Sequence, residues 1–455
     1  MISPVISSLL HKYDVPAPRY TSYPTVPYWD FSTLDEPAWK QQIAETFTKE
    51  QSEISLYMHL PFCESLCTFC ACNKRITKNH GVEEPYIQTL LKEWEFYLKI
   101  FPGKPVIREI HLGGGTPTFF SPANLWKLIH QVTSSAIIAN DHAFSFEAHP
   151  NNTTEQHLQA LSGAGFNRIS VGVQDFDPAV QQAINRIQSF ERTRDVIDKA
   201  RKLGYASVNV DLVYGLPFQT EESVGNTIGK ILQLMPDRIA YYSYAHVPWK
   251  SKVQRRYTDA DLPTAAEKLT MYQRGKEMLM AAGYIAIGMD HFALPGDPLL
   301  LAAENGKLNR NFMGYTTTSS KLIVGLGASA ISDGWGAFAQ NEKTVEAYEQ
   351  KVNEGRLPIV NGHLLTEDDL LIRGYILDLM CRHEVLLSYP ASDPTWMPAV
   401  KERLQSLIED GLVEMKDEQI IVTDTGRTFV RNICAAFDAR LHAAKSESNV
   451  FSKAI

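Results

Sequence analysis

A chain of 455 residues, 44% of them hydrophobic and 21% charged, suits two or three domains and can bury a sizeable core, which excludes a largely disordered protein. Its formal net charge of −8 excludes a general polyanion binder, because nucleic-acid affinity rests on clustered Lys and Arg. No apolar run approaches the roughly 20 residues that cross a bilayer, and the opening stretch MISPVISSLL lacks the basic leader and cleavage site of an export signal. A cytoplasmic protein without membrane insertion is expected.

From about residue 54, short apolar runs alternate with helical stretches. The expected strands are ISLYMHL (54–60), EIHLGGG (109–115), AFSFEAH (143–149), RISVGVQ (168–174), SVNVDLVYG (207–215) and RIAYYSYAH (238–246). Each is brief and rich in Val, Ile, Phe or Tyr, as befits a strand buried on both faces. Between them, Ile87, Leu90, Leu91, Trp94, Tyr97 and Leu98 recur at three- and four-residue steps, one face of a helix over 86–98. Segments 121–132, 153–163, 190–203 and 220–234 read the same way. Such alternation predicts parallel strands with right-handed crossovers, and six units predict an α/β barrel or partial barrel.

Barrels carry their chemistry at the C-terminal ends of the strands. The conspicuous polar residues fall there: a cysteine cluster after the first run, Gly113 to Thr118 after the second, Glu147 in the third and Gln174 closing the fourth. Asp211 lies in the fifth and His246 closes the sixth. Segments 283–293 and 322–332 are expected to complete this domain. After about residue 345 the pattern changes to helices at 366–382 and 397–411, a hairpin within 411–427 and a final helix, a mostly helical, winged-helix-like accessory domain. The acidic charge disfavours reading that wing as a DNA-binding module.

Four of the six cysteines lie within ten residues: Cys63, Cys67, Cys70 and Cys72. A disulfide framework would spread them over a small secreted domain. The core is C-x3-C-x2-C. A structural zinc site wants four closed ligands in separated pairs; a redox dithiol wants C-x-x-C in a thioredoxin-like setting. Three thiolates on one tight loop instead suit a 4Fe-4S cubane with one iron left open. S-adenosylmethionine (SAM) can chelate that iron, and an electron from the cluster can then break its carbon–sulfur bond to leave a 5′-deoxyadenosyl radical. Cys72 is too close to Cys70 to be a comfortable fourth ligand; it is either a packed thiol or a residue on the substrate side. Phe69 is a loop anchor or a wall against the adenine.

Gly113-Gly114-Gly115-Thr116 would let the backbone approach the amino end of SAM. Glu147, Gln174, Arg186 and Asp211 form a candidate ligand shell. Arg186 suits a carboxylate through its fork of donors, and Asp211 suits a ribose diol or a sulfonium. Among the histidines near strand ends, His59, beside the cluster, is singled out.

Here a resemblance enters. The segments PRYTSYPT (18–25), LYMHLPFCESLCTFCACNK (56–74), HLGGGTPT (111–118), GFNRISVGVQDF (165–176), NRIQ (185–188), NVDLVYGLP (209–217), YAH (244–246), GMDHFA (288–293), RNFMGYTT (310–317), GASAIS (327–332) and RNIC (431–434) are similar to those of the oxygen-independent coproporphyrinogen III oxidases, a radical SAM family. PRYTSYPT and Cys72 are usually lacking in the related haem chaperones, and a haem-opening radical SAM methyltransferase would release S-adenosylhomocysteine. The resemblance implies an N-terminal arm (1–50), a partial (βα)6 barrel (51–345) and a C-terminal domain (346–455). It implies Cys63, Cys67 and Cys70 as cluster ligands. It implies Tyr57, Gly114, Glu147 and Ile331 at the cluster-bound SAM, and Phe69, Gly115, Thr116, Gln174, Arg186, Asp211 and Ala245 at a second SAM. Tyr57, His59, Cys72 and Arg186 are the candidate catalytic residues. The implied reaction turns two propionates of a tetrapyrrole into vinyls, with a low-potential electron donor and a monomeric enzyme. The chain departs from the family at Ala71 (usually Gly), His149 (usually Asp), Ile187 (usually Glu) and Leu322 (usually Asp).

Overall fold

In the computed structural model, which describes residues 4–249, 251–387, 394–443 and 451–454, the strand–helix alternation resolves into one large sheet. The strands are β1 (Glu53–Leu60), β2 (Phe62–Cys63), β3 (Arg75–Ile76), β4 (Val106–Gly114), β5 (Ile137–Ala148), β6 (Arg168–Gln174), β7 (Ser207–Tyr214), β8 (Arg238–Ser243), β9 (Ile285–Ile287), β10 (His291–Ala293), β11 (Asn309–Asn311), β12 (Gly314–Thr316), β13 (Ile323–Leu326), β14 (Ile331–Asp333), β15 (Ala337–Asn341) and β16 (Ile359–Leu364). Twelve of them form a sheet in the order β16-β15-β14-β13-β1-β4-β5-β6-β7-β8-β10-β9. From β13 to β8 all neighbours are parallel. The strands beyond β8 and β13 are antiparallel, so the curved sheet stays open.

The expected helices appear as α3 (Glu83–Ile100), α4 (Pro122–Ser134), α5 (Glu155–Gly163), α7 (Phe190–Lys202) and α8 (Glu221–Leu234), after α1 (Pro4–Tyr13) and α2 (Glu36–Lys49), and with α6 (Pro178–Ala183) and α9 (Ala265–Ala281). Serine and threonine caps start them: Ser121, Thr154, Ser189 and Thr220 each accept a backbone N–H three residues on, which satisfies an otherwise orphaned donor. The helices bury the outer face of the sheet, where Ile110, Leu112, Phe146, Ile169, Val171, Val208 and Val210 are at most 1% exposed.

The inner face differs from the sequence expectation. The strands are not apolar on both sides. Glu109 and His111, Ser145 and Glu147, Arg168 and Ser170, and Ser207, Asn209 and Asp211 alternate with the outward residues and line the lumen. Period-two alternation was present in the sequence beneath the aliphatic runs.

Boundaries shift elsewhere. β5 begins at Ile137, because Ile137 and Ile138 pair with Val106 and Ile107 before a break in register. β8 stops at Ser243, leaving Tyr244 to His246 in a loop. Segment 283–293 is an antiparallel hairpin, and 322–332 folds back on itself as β13 and β14. The large sheet runs on to Leu364.

After β10 comes α10 (Pro298–Glu304), and the C-terminal part contains α11 (Val345–Asn353), α12 (Glu367–Arg382) and α13 (Met397–Glu409). Beside α12 and α13, the hairpin β18 (Val413–Lys416) and β19 (Gln419–Val422) takes β17 (Glu384–Leu386) as a third strand. This helix-and-wing unit shares a core with the N-terminal arm: Leu9, Tyr13, Tyr20 and Tyr23 pack with Ile376, Leu379, Leu404 and Phe437.

Candidate active site

The cysteine loop leaves β1 at Leu60 and is pinned on three sides. Gly115 N–H donates to the Leu60 carbonyl (2.8 Å) and Thr116 N–H to that of Phe62 (3.0 Å), tying it to the glycine loop. Thr68 N–H and Oγ1 donate to the carbonyls of Ile184 and Ala183 (2.9 and 3.0 Å), and Asn185 Nδ2 donates to that of Leu66 (2.8 Å). Gln254 Nε2 and Tyr257 Oη reach the carbonyls of Phe69 and Thr68 (3.0 and 3.3 Å). A loop held this way needs no disulfide, and all six cysteines are free thiols.

Cys63, Cys67 and Cys70 face one cavity of about 170 Å³. Thr116 Oγ1 donates to Cys63 Sγ (3.3 Å) and Arg186 Nη1 to Cys67 Sγ (3.6 Å). Burial pushes the Cys63 thiol up to about 11, against the Thr116 bond. A hydrogen bond from the Cys72 thiol, with help from Lys74, holds Cys70 below the usual range; Cys72 is raised by the same contact. Among the described residues no three His, Cys, Asp or Glu side chains converge as they would on one ion. The three-thiol loop offers one ligand fewer than the closed set of four that structural zinc takes. It fits a cubane, which asks for one thiolate per iron and tolerates donors to its sulfurs.

The same cavity is lined by Phe69, Cys72, Gly114, Gly115, Thr116, Glu147, Gln174, Arg186 and Asp211, drawn from five different strand ends. Gln174 takes a left-handed backbone (φ 70°), a conformation that turns the chain at the cavity edge. Arg186 Nη2 donates to the Gly172 carbonyl (2.5 Å), while its buried Nε has no partner. A buried donor left open beside a cavity fits a ligand carboxylate. Asp211 accepts from Ser170 Oγ and Asn209 Nδ2 (2.8 Å each), and burial pushes it up to about 6. Glu147 accepts weakly from Gly114 N–H (3.3 Å) and keeps a half-exposed side chain.

Four candidates lie outside the cavity wall, Tyr57 among them. His59 is buried behind the glycine loop, with Nδ1 at Tyr57 Oη (3.0 Å) and Nε2 at the Asn73 carbonyl (2.9 Å). Burial lowers its pKa, which keeps the ring neutral. Ala245 sits beyond β8, its carbonyl accepting from Gln254 (3.3 Å), and Ile331 opens β14. The glycines also have a second reason, beyond approach to a ligand. A Cβ on Gly114 (φ 109°) would lie 2.5 Å from His59 Cε1, and one on Gly115 would lie 2.6 Å from the Pro61 carbonyl carbon. Close approach is between the first two strand-end loops themselves.

The departures from the family spread out. Ala71 is exposed on the loop, and His149 lines the cavity, lowered to about 3 by burial and then Arg186. Ile187 is solvent-exposed and Leu322 is fully buried in the core.

Residues 57–231 match the radical SAM superfamily. The oxygen-independent coproporphyrinogen III oxidase of Pseudomonas aeruginosa is 39% identical over 96% of both chains, and that of Escherichia coli 38% over 98% of both. The chain belongs to the oxygen-independent coproporphyrinogen III oxidases. A solved structure of a coproporphyrinogen III oxidase from Escherichia coli, described as a radical SAM enzyme, superposes with a TM-score of 0.87 over 92% of this chain and 97% of that one. As a radical SAM enzyme this oxidase uses a 4Fe-4S cluster and SAM, which the cysteine loop and its cavity suit. Among its described residues no helix is long and apolar enough to cross a membrane.

Proposed function

We propose that this chain converts two propionate side chains of coproporphyrinogen III to vinyls by oxidative decarboxylation, giving protoporphyrinogen IX without molecular oxygen. The observation that carries this is the single cavity that gathers the three-cysteine loop with Glu147, Gln174, Arg186 and Asp211, in a chain that matches these oxidases end to end.

Cys63, Cys67 and Cys70 would hold the cluster, leaving one iron for SAM. When bound, the two supply a hydrogen-abstracting 5′-deoxyadenosyl radical. The protein's own residues then do five things. Thr116 and Arg186 direct donors at the ligand sulfurs. Glu147, with the Gly114 backbone, Tyr57 and Ile331, frames the first SAM. Arg186 offers its open Nε to the carboxylate of a second SAM, whose other neighbours would be Phe69, Gly115, Thr116, Gln174, Asp211 and Ala245. His59, neutral and bonded on both nitrogens, fixes the Tyr57 hydroxyl, and Cys72 faces the substrate side.

A low-potential electron donor, a cytoplasmic setting and a monomeric state belong to the same reading; free thiols throughout are in keeping with a reducing compartment. The test is anaerobic incubation of the reconstituted protein with SAM, a strong reductant and coproporphyrinogen III. Protoporphyrinogen should appear with methionine and 5′-deoxyadenosine. An intact cluster that cleaves SAM yet leaves the tetrapyrrole unchanged would reject the assignment.

A further inference from the structure

Below the cysteine cavity, and sharing Glu147 and Asp211 with it, lies a second chamber of about 180 Å³ inside the lumen. Arg168, the first residue of β6, lines it. Strand alternation places Arg168 on the same inner face as Ser170 and Gln174. Its guanidinium makes no hydrogen bond or ion pair among the described residues, although burial and then Arg238 push it down to about 10. The neighbouring carboxylates are already committed. Glu109 accepts from Thr316 and Thr318 (3.0 and 2.7 Å), Asp211 from Ser170 and Asn209, and Asp297 from Arg238 (2.6 Å).

Two further polar atoms in the chamber are orphaned: Arg238 Nε, on a residue 4% exposed, and Asn209 Oδ1. Arg168 is half-buried, is attracted only at a distance by the charges of Glu109 and Asp297, and keeps its donors free; five guanidinium donors in a fixed fork match a carboxylate. Nothing in the radical chemistry at the cysteine loop calls on Arg168.

Resting on the function proposed above, we infer that this chamber receives one propionate carboxylate of the tetrapyrrole, bound by the Arg168 fork with Arg238 Nε beside it. The arm so held is anchored deep in the lumen, which sets the position of the macrocycle relative to the cluster end. Arg168 is a substrate-binding residue in this account.

The carboxylate could come instead from the methionine end of a second SAM, and the experiment separates the two. Arg168→Gln and Arg168→Lys are made in the full chain and reconstituted anaerobically. Cluster absorbance and SAM affinity should match the wild type, because Arg168 is not part of the cysteine cavity. Tetrapyrrole affinity should fall about tenfold or more in Arg168→Gln and less in Arg168→Lys. The melting temperature should change little, since no direct hydrogen bond or ion pair is lost, which a structural arginine would not show. Wild type should discriminate against the methyl ester of coproporphyrinogen, and Arg168→Gln should bind acid and ester nearly alike.

Wild-type tetrapyrrole affinity in Arg168→Gln overturns the inference, as does a loss confined to SAM. Should Arg168→Gln not fold, full tetrapyrrole affinity in Arg168→Lys together with a lowered melting temperature overturns it as well. A wild-type protein that cleaves SAM but does not bind the tetrapyrrole at all defeats the functional reading itself.

Discussion

Arg186 carries three guanidinium nitrogens and places two of them on the protein, at Cys67 Sγ and the Gly172 carbonyl. The third is buried without a partner. Arg186→Ala should therefore spare the cluster absorbance while weakening SAM binding about tenfold or more, as loss of a charged hydrogen bond requires; equilibrium dialysis of the reconstituted protein reads this. Cys63→Ser is harsher. Serine oxygen is a poor substitute for a thiolate, so both the visible absorbance and SAM cleavage should vanish, and surviving cleavage would remove Cys63 from the ligand set. The C-x3-C-x2-C spacing made these three residues legible in the sequence. Arg186 was singled out there for its type and siting, but its approach to Cys67 across 119 residues was not.

Between elements, the glycine loop after β4 shows how tightly adjacent strand ends interlock. Gly114 has a left-handed backbone and leaves just the space that the His59 ring fills. Gly114→Ala should cost well over ~1 kcal/mol, the backbone term alone being about that. Adding His59→Ala should make the double variant less unstable than the sum of the two, because the clash is removed with the ring; thermal melts of the four proteins decide. A second junction is pH-sensitive. Glu93 of α3 accepts from Gly327 N–H (2.8 Å), Asn341 Nδ2 (2.7 Å) and Tyr348 Oη (2.6 Å), fastening α3 and α11 to the β13–β14 turn and β15. Burial pushes its carboxyl from 4.5 up to about 7, with those bonds opposing. A folded-state pKa above the unfolded one means stability present in full below about 4.5 and lost as pH rises through about 7. Glu93→Gln, neutral at every pH, should be destabilised by about 1–3 kcal/mol at low pH. That penalty should shrink between pH 4.5 and 7. A penalty constant with pH, from denaturant melts, would contradict the shift.

At the scale of the whole molecule, the two chain ends meet. Arg431, 5% exposed, donates to the carbonyls of Pro18 (3.0 Å), Lys453 and Ala454 (2.9 Å each). Ala17 N–H then donates to the Ser452 carbonyl and Ala454 N–H to that of Val15, pairing arm and tail in the manner of a short antiparallel bridge. Arg431→Ala would leave buried carbonyls without donors at a cost of about 1–3 kcal/mol. Faster proteolysis of the first 20 residues than in wild type is the expected readout, and unchanged cleavage would show that the arm is held by its apolar packing alone. The arm's tyrosines, Tyr20 and Tyr23, lie in PRYTSYPT, and burial in the C-terminal core, 2% and 1% exposed, accounts for their size in structural terms.

By itself the sequence determined what is local or periodic. Three cysteines on one loop specify a cluster because the ligands need only a few residues to reach their irons. Alternating runs specify parallel strands and crossover helices because each must bury one face. Tertiary structure alone decided what stands opposite what. The open sheet, the glycines cut to fit His59 and Pro61, the Thr116 and Arg186 donors at sulfur, and the unpaired Arg168 in a polar lumen all depend on register between strands far apart in the chain. Register follows from long-range pairing, which no single stretch of sequence contains.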